Sequence, residues 1–352
     1  MIPGNHDVDR DVVKKSSTIQ DRHEKLRASG KQTELLEKEL LRLYEDEEAF
    51  LAIQKPLAAY SKFAGQYDCV PGKNVLFWED SIPLNDGSTL KIRGCNSAIV
   101  SDDLDDEGLN RLVVGEKQML PPAEDGVTYL LMCHHPVDWL HDRDAVKDCL
   151  KARVPLALFG HKHVQRLESL GERLHIAAGA VHPDRNGGTW EPRYNFLGMS
   201  VSTDGETRTL DVSVWPRKWD IENRKFVADF DEHGAKVRNY RLPLPAWTPV
   251  HSATVEPLAG SGPRTTVTEG GIVVNPKRQL VFRFHSLPYL RRLEVVAKLK
   301  LARDTDEDLR EDERYPLYFK RAEEMGILDE FWTCIEQQLG VDISDNPFKK
   351  SM

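Results

Sequence analysis

Two short apolar runs, each followed at once by histidines, constrain the fold of this chain more than any other feature. Residues 128–133 and 155–159 are almost continuously apolar, which is typical of strands that are buried on both faces. The stretch between them, 142–152, is predicted to be a helix. Strand, helix and strand in this order predict an α/β layered fold.

Polar side chains that can bind metals follow both runs. His-His-Pro occupies 134–136 and Gly-His-Lys-His occupies 160–163, while Gly-Asn-His-Asp occupies 4–7 near the start of the chain. In open α/β sheets, ligands bind just past the carboxyl ends of the strands. An extended chain would place His161 and His163 on the same side. Each segment alone could be a structural turn or a strand cap, but the three together predict a metal site.

The order of these segments resembles that of the calcineurin-like metallophosphoesterase superfamily, whose motifs are D-x-H, G-D-x-x-D, G-N-H-D/E, a histidine and G-H-x-H. The resemblance covers about residues 1–240. It implies a four-layer α/β/β/α sandwich with two divalent metal ions at the carboxyl edge of the sheet. Imidazole nitrogen and amide oxygen together suit Mn, Fe, Zn or Ni ions. The implied activity is metal-dependent hydrolysis of phosphomonoesters or phosphodiesters.

The resemblance implies metal-binding roles for four residues. By position, Asn5, His134 and His161 would bind the second metal ion, and His163 would bind the first. The bound ions would polarise the phosphoryl oxygens and activate the attacking water.

Four further residues receive catalytic or substrate-binding roles. His6 would act as general acid or transition-state donor, and Asp7 would accept a hydrogen bond from it. His135, next to the expected ligand His134, is a candidate for contact with the substrate. Arg193 is a second such candidate, because a guanidinium group can bind phosphate oxygens.

The chain departs from the family pattern at its start. D-x-H and G-D-x-x-D should precede Asn5, but only four residues do so, and no later segment replaces them. The first metal ion would keep only His163, so at most one well-formed metal site is expected. We expect a shortened form of an active hydrolase that lacks the first strands of the sandwich. The alternative is a catalytically degenerate protein that binds a ligand or acts as an adaptor.

The domain organisation follows from a change in composition late in the chain. Residues 1–242 are predicted to form the phosphoesterase domain, with a helical insertion at about 12–63. Residues 243–277 are rich in Pro, Gly, Ser and Thr and predict a linker. Residues 278–352 predict a small all-α module. It loosely resembles the death-like adaptor modules of effectors in bacterial conflict systems, which implies a protein partner bound by helix packing.

Charge and cysteine content limit the substrate and the compartment. The net charge is −9 and no Lys/Arg-rich stripe is evident, so a small phosphoester is favoured over nucleic acid as the substrate. Five scattered cysteines favour a reducing compartment, and with no signal peptide the expected location is the cytoplasm. No apolar stretch approaches the ~20 residues that span a bilayer, so no membrane association is expected.

Overall fold

The fold is taken from a computed structural model, which describes residues 1–105, 111–181, 191–205, 207–248, 276–306, 309, 311–339 and 346–349. The chain divides into two compact units, 1–266 and 267–352. Most of the predicted linker, residues 249–275, lies outside the described residues. Its two ends differ slightly from the prediction, because one strand continues to Leu244 and a helix already begins at Pro276.

A six-stranded mixed sheet forms the centre of the first unit. Its strands, in chain order, are β1 (Phe77–Pro83), β2 (Thr89–Cys95), β3 (Val127–Cys133), β4 (Leu156–Phe159), β5 (Arg166–Ser169) and β6 (Leu174–Ala177). The spatial order is β1-β2-β3-β4-β6-β5, in which β2, β3, β4 and β6 run parallel and the two edge strands run antiparallel. Both apolar runs therefore form central parallel strands, and the predicted α/β class is confirmed.

A second, antiparallel sheet packs against the first. It contains β7 (Arg193–Asp204), β8 (Thr207–Asp220), β9 (Lys225–Ala228) and β10 (Arg238–Leu244), with the order β10-β8-β7 and with β9 paired to β8. Buried leucines of the first sheet, such as Leu130 and Leu156, share one core cluster with Val201, Leu210 and Val212 of the second. The first unit is thus built on two facing sheets.

Helices cover the other side of the first sheet. Five of them precede β1 in the chain: α1 (Arg10–Lys14), α2 (Ser17–Ser29), α3 (Thr33–Glu45), α4 (Glu47–Gln54) and α5 (Ala58–Ala64). A short helix, α6 (Glu116–Met119), follows β2, and α7 (Arg143–Arg153) connects β3 to β4. Leu36 and Leu40 of α3 are fully buried in one cluster with Val146 of α7 and Leu131 of β3. The segment predicted as an insertion therefore contributes helices to this core.

One histidine in this helical layer predicts a pH dependence of stability. Burial, and then the nearby Arg27, lower the pKa of His23 from 6.5 to about 4. Between these values the unfolded chain binds a proton that the folded chain does not, so stability falls as the pH drops from about 6.5 to 4. We expect the loss at pH 4 to be about 3 kcal/mol. Urea unfolding at several pH values should show this slope in the wild type and a smaller slope in His23→Gln.

The described residues of the second unit form four α-helices that share their own core. Its helices are α8 (Pro276–Ser286), α9 (Tyr289–Lys298), α10 (Glu311–Glu324) and α11 (Leu328–Leu339). Phe284, Phe331, Trp332 and Ile335 are almost completely buried in a single cluster. The predicted C-terminal helical region is confirmed. Within the described part of the chain, every helix is too short or too polar to cross a bilayer.

Candidate metal site

Three histidines meet at the carboxyl edge of the parallel strands. Because β3 and β4 are parallel neighbours, with Cys133 paired to Phe159, the residues that follow them emerge side by side. The backbone N–H of Gly160 donates to the His134 carbonyl at 2.9 Å and joins the two loops. Ligand nitrogens of His134, His135 and His161 lie within 4.8 Å of one another. We call these three residues the histidine cluster.

The loop after β4 is not extended, as the sequence had suggested, but tightly turned. His161 and His163 have φ values of 66° and 54°, in the left-handed region. The N–H of Lys162 donates back to the Gly160 carbonyl at 2.8 Å. A left-handed residue other than glycine costs about 1–2 kcal/mol, and such residues are concentrated at functional sites. The alternation expected of an extended chain therefore does not apply to His161 and His163.

Asn5 reaches the cluster from the beginning of the chain. It opens the short 3-10 turn Asn5–Asp7 and is 1% exposed. Its Oδ1 lies 3.3 Å from His134 Nε2, and its buried Nδ2 has no hydrogen-bond partner. A Cβ on Gly4 would come within 2.9 Å of three ring atoms of His134, so only glycine allows this close approach. The turn at Asn5–Asp7 is therefore packed closely against the loop that carries His134.

The two predicted catalytic residues lie on the exposed side of the same turn. His6 and Asp7 are both exposed. Asp7 Oδ2 accepts from the Gly4 backbone N–H at 2.8 Å, a contact that the sequence did not indicate. The carboxylate therefore stabilises the turn itself. His6 lies near enough to His134 that a positive charge on it lowers the pKa of that ring.

His135 is positioned differently from the expected substrate contact. It is 0% exposed, and its Nδ1 lies 2.8 Å from the Ser97 hydroxyl. Its Nε2 is buried and has no hydrogen-bond partner. The His135 ring centroid lies 4.8 Å from those of both His134 and His161. The unpaired Nε2 of His135 is therefore buried close to the rings of His134 and His161.

The other predicted substrate contact, Arg193, is bound by carboxylates. It begins β7, and its guanidinium pairs with Asp229 and Glu191. Its backbone N–H donates to the Ala180 carbonyl at 3.0 Å, which places it beside the end of β6. Among the described contacts, none joins Arg193 to the histidine cluster.

Burial and neighbouring groups favour the neutral form of two rings of the cluster, His134 and His135. Burial, and then the neighbouring His161, His6 and His163, lower the pKa of His134 to about 4. Burial and then His134 hold the pKa of His135 well below its usual range. Since a metal ligand must be neutral imidazole, both rings have the protonation state that binding requires at neutral pH.

The donor set fits one transition-metal ion. Two ligands that are each about 2.0–2.1 Å from a tetrahedral ion lie about 3.3 Å apart, and His134 Nε2 and Asn5 Oδ1 have this separation. The ligand nitrogens of the histidine cluster, which lie within 4.8 Å of one another, would have to move closer together to reach this separation. In the part of the chain that the structure describes, no aspartate or glutamate joins the cluster. A second ion, which would need a bridging carboxylate, does not fit these residues.

Sequence reasoning missed two residues of the site. Ser97, which contacts His135, follows β2 at the same carboxyl edge, and this position was the available signal. Trp139 has its ring centroid 4.1 Å from that of His161 and also stacks against His135. Nothing in the local sequence indicated Trp139, because its contacts depend on the fold of the loop after β3.

Comparison with known protein families gives a match within the second unit. Residues 276–337 match the family model of the GTPase-associated adaptor domain. The predicted resemblance to adaptor modules is thereby confirmed for this part of the chain. No curated protein and no solved structure matches the chain. The residues that form the histidine cluster lie outside the matched region.

Proposed function

We propose that the first unit is a metal-dependent phosphoester hydrolase of the calcineurin-like metallophosphoesterase type. The observation that carries the proposal is the convergence of Asn5, His134 and His161, which come from three separate motif segments, at one sheet edge. The two facing sheets, with helices over the first, are compatible with the sandwich of that superfamily. We expect small phosphomonoesters or phosphodiesters as substrates, because the chain has a net charge of −9.

In this proposal each residue has a defined task. Asn5, His134 and His161 would hold a divalent ion, which supplies Lewis acidity toward a phosphoryl oxygen. The exposed His6 would donate a proton to the leaving oxygen. Asp7 would keep His6 in place indirectly, because its bond to Gly4 fixes the turn that carries both residues.

The test is turnover of bis(4-nitrophenyl) phosphate and 4-nitrophenyl phosphate by the purified full chain with Mn²⁺. Loss of a general acid lowers rates by about 10²–10⁴-fold, so His6→Ala should lose most of the activity. Its metal affinity should be unchanged, because the proposed ligands are retained. Metal binding without turnover in the wild type would contradict the hydrolase and favour a ligand-binding protein.

The adaptor match supports a second function, recruitment of a protein partner by the second unit. Residues 276–303 contain eight Lys or Arg and one Glu, whereas 304–352 contain fourteen Asp or Glu and six Lys or Arg. On α9, Leu290 is 69% exposed and lies next to the exposed Arg291. Opposite charges on the two halves would allow the basic half of one copy to bind the acidic half of another.

Sedimentation velocity of the full chain at low and high salt tests this function. We expect the chain to self-associate, and we expect this association to weaken as the salt concentration rises. The double variant Arg291→Glu with Lys298→Glu should not self-associate. Both side chains lie on α9. A monomer at all salt concentrations would contradict recruitment of a second copy.

A further inference from the structure

The His135 side chain places a buried ring nitrogen without a hydrogen-bond partner at the histidine cluster. It is 0% exposed, yet its Nε2 has no hydrogen-bond partner. A buried polar atom without a partner costs about 1–3 kcal/mol, so native structures rarely leave one unless it binds something else. The rings of His134 and His161, with centroids at 4.8 Å, enclose the space beside it.

The hydrogen bonds around Ser97 are compatible with a free lone pair on His135 Nε2. Ser97 Oγ accepts from the His135 backbone N–H at 3.2 Å. The Cys133 thiol donates to the His135 carbonyl at 3.4 Å. A hydroxyl has one proton and two acceptor sites, so Ser97 can also accept from Nδ1–H at 2.8 Å. In this arrangement the proton of the neutral ring is on Nδ1, and Nε2 can bind a cation.

We infer that His135 is a third imidazole ligand of the ion proposed for His134 and His161, and that Ser97 is the residue that positions its ring. This assignment rests on the proposed metal site and departs from the expectation, drawn from the sequence, that His135 contacts the substrate. Three imidazoles and the Asn5 amide give one ion a neutral ligand set. These four protein ligands would fill a tetrahedral site, so a substrate would bind as a fifth ligand, by the expansion to five-coordination that catalytic zinc sites can undergo.

Two substitutions separate the ligand role of His135 from its packing role. His135→Asn keeps an amide N–H near the place of Nδ1, where it can still donate to Ser97, but removes Nε2. Ser97→Ala keeps the ring and removes its acceptor. His233→Asn, at an exposed histidine far along the chain, is the matched control. Affinity is measured by calorimetric titration with Zn²⁺, and the visible absorption of bound Co²⁺ reports the ligand set.

We expect His135→Asn to weaken Zn²⁺ binding by at least about 100-fold and to change the Co²⁺ spectrum. Loss of a residue that orients a ligand typically costs 10–100-fold in affinity, so Ser97→Ala should fall in that range. Wild-type affinity and an unchanged spectrum in His135→Asn would overturn the assignment. Turnover is measured separately. If Zn²⁺ affinity decreases from the wild type to Ser97→Ala to His135→Asn but the wild type shows no turnover, the proposed hydrolase activity is overturned. The assignment of His135 as a ligand would still hold.

Discussion

Phe284→Ala should unfold the second unit and leave the first unit folded. Phe284 is 0% exposed, and its ring contacts those of Tyr315, Phe319 and Phe331 at the centre of the module. Truncation of a buried phenylalanine costs about 3–5 kcal/mol. A single core of this size rarely supplies more than about 3–5 kcal/mol of stability, so the loss is comparable to the whole. Hydrogen exchange measured by mass spectrometry should show fast exchange throughout α8–α11.

The same helix provides the control. Phe282 lies two residues away on α8 and is 74% exposed, so Phe282→Ala should leave exchange in the module close to that of the wild type. Neither variant should alter metal affinity, because the histidine cluster belongs to the other compact unit. Equal protection of α8–α11 in the two variants would contradict the assigned core. Of these two α8 variants, Phe284→Ala should lose self-association and Phe282→Ala should keep it.

His134→Asn should abolish metal-dependent stabilisation and turnover. This ring contacts Asn5 and neighbours both other rings of the cluster, so its loss removes the central ligand. An ion at 100 times its dissociation constant stabilises the fold by about 2.7 kcal/mol, and a 100-fold weaker site retains about 0.4 kcal/mol. Thermal unfolding with and without Zn²⁺ should show this difference, and phosphodiester turnover should fall to the background rate.

His175→Asn serves as the matched control for that experiment. His175 lies on β6 of the same sheet, and its ring contacts Phe159 rather than the cluster. Its substitution should preserve both the metal-dependent shift and turnover. If His134→Asn kept the wild-type shift while His175→Asn lost it, the ion would bind elsewhere and the assigned site would be wrong.

The strands that carry the site could be predicted because nearly all of their residues are apolar, which indicates burial. A central parallel strand is covered on both faces, so β3 and β4 are continuous apolar runs, and the polar residues that follow them must meet at one edge. Asn5 could be placed there only through a motif. Its contact with His134 joins residues 129 positions apart, which no local pattern encodes.

The parts that could not be predicted depend on contacts between distant segments. The loop after β4 was expected to be extended, but the chain turns within it and continues to Ala178, which pairs with Phe159. Arg193 was assigned to substrate from its chemistry, and its partner Asp229 is 36 residues away. Pro276 was included in the linker because prolines are dense there, whereas proline is also favoured in the first turn of a helix.

Charge was also misleading when it was averaged over the whole chain. The net value of −9 conceals a segment, 276–303, in which basic residues outnumber acidic ones by eight to one. That segment includes α8 and α9 of the adaptor-like unit. The absence of a basic stripe, noted from the sequence, therefore does not hold for this part of the chain.

The central claim is that the histidine cluster binds one divalent ion, and calorimetric titration of the metal-free full chain with Zn²⁺ tests it most directly. We predict saturable binding of one ion per chain, with release of few protons because burial keeps His134 and His135 neutral before the ion arrives. The same titration of His134→Asn should show at least about 100-fold weaker binding. Equal binding by the two proteins, or no saturable binding by the wild type, would contradict the claim.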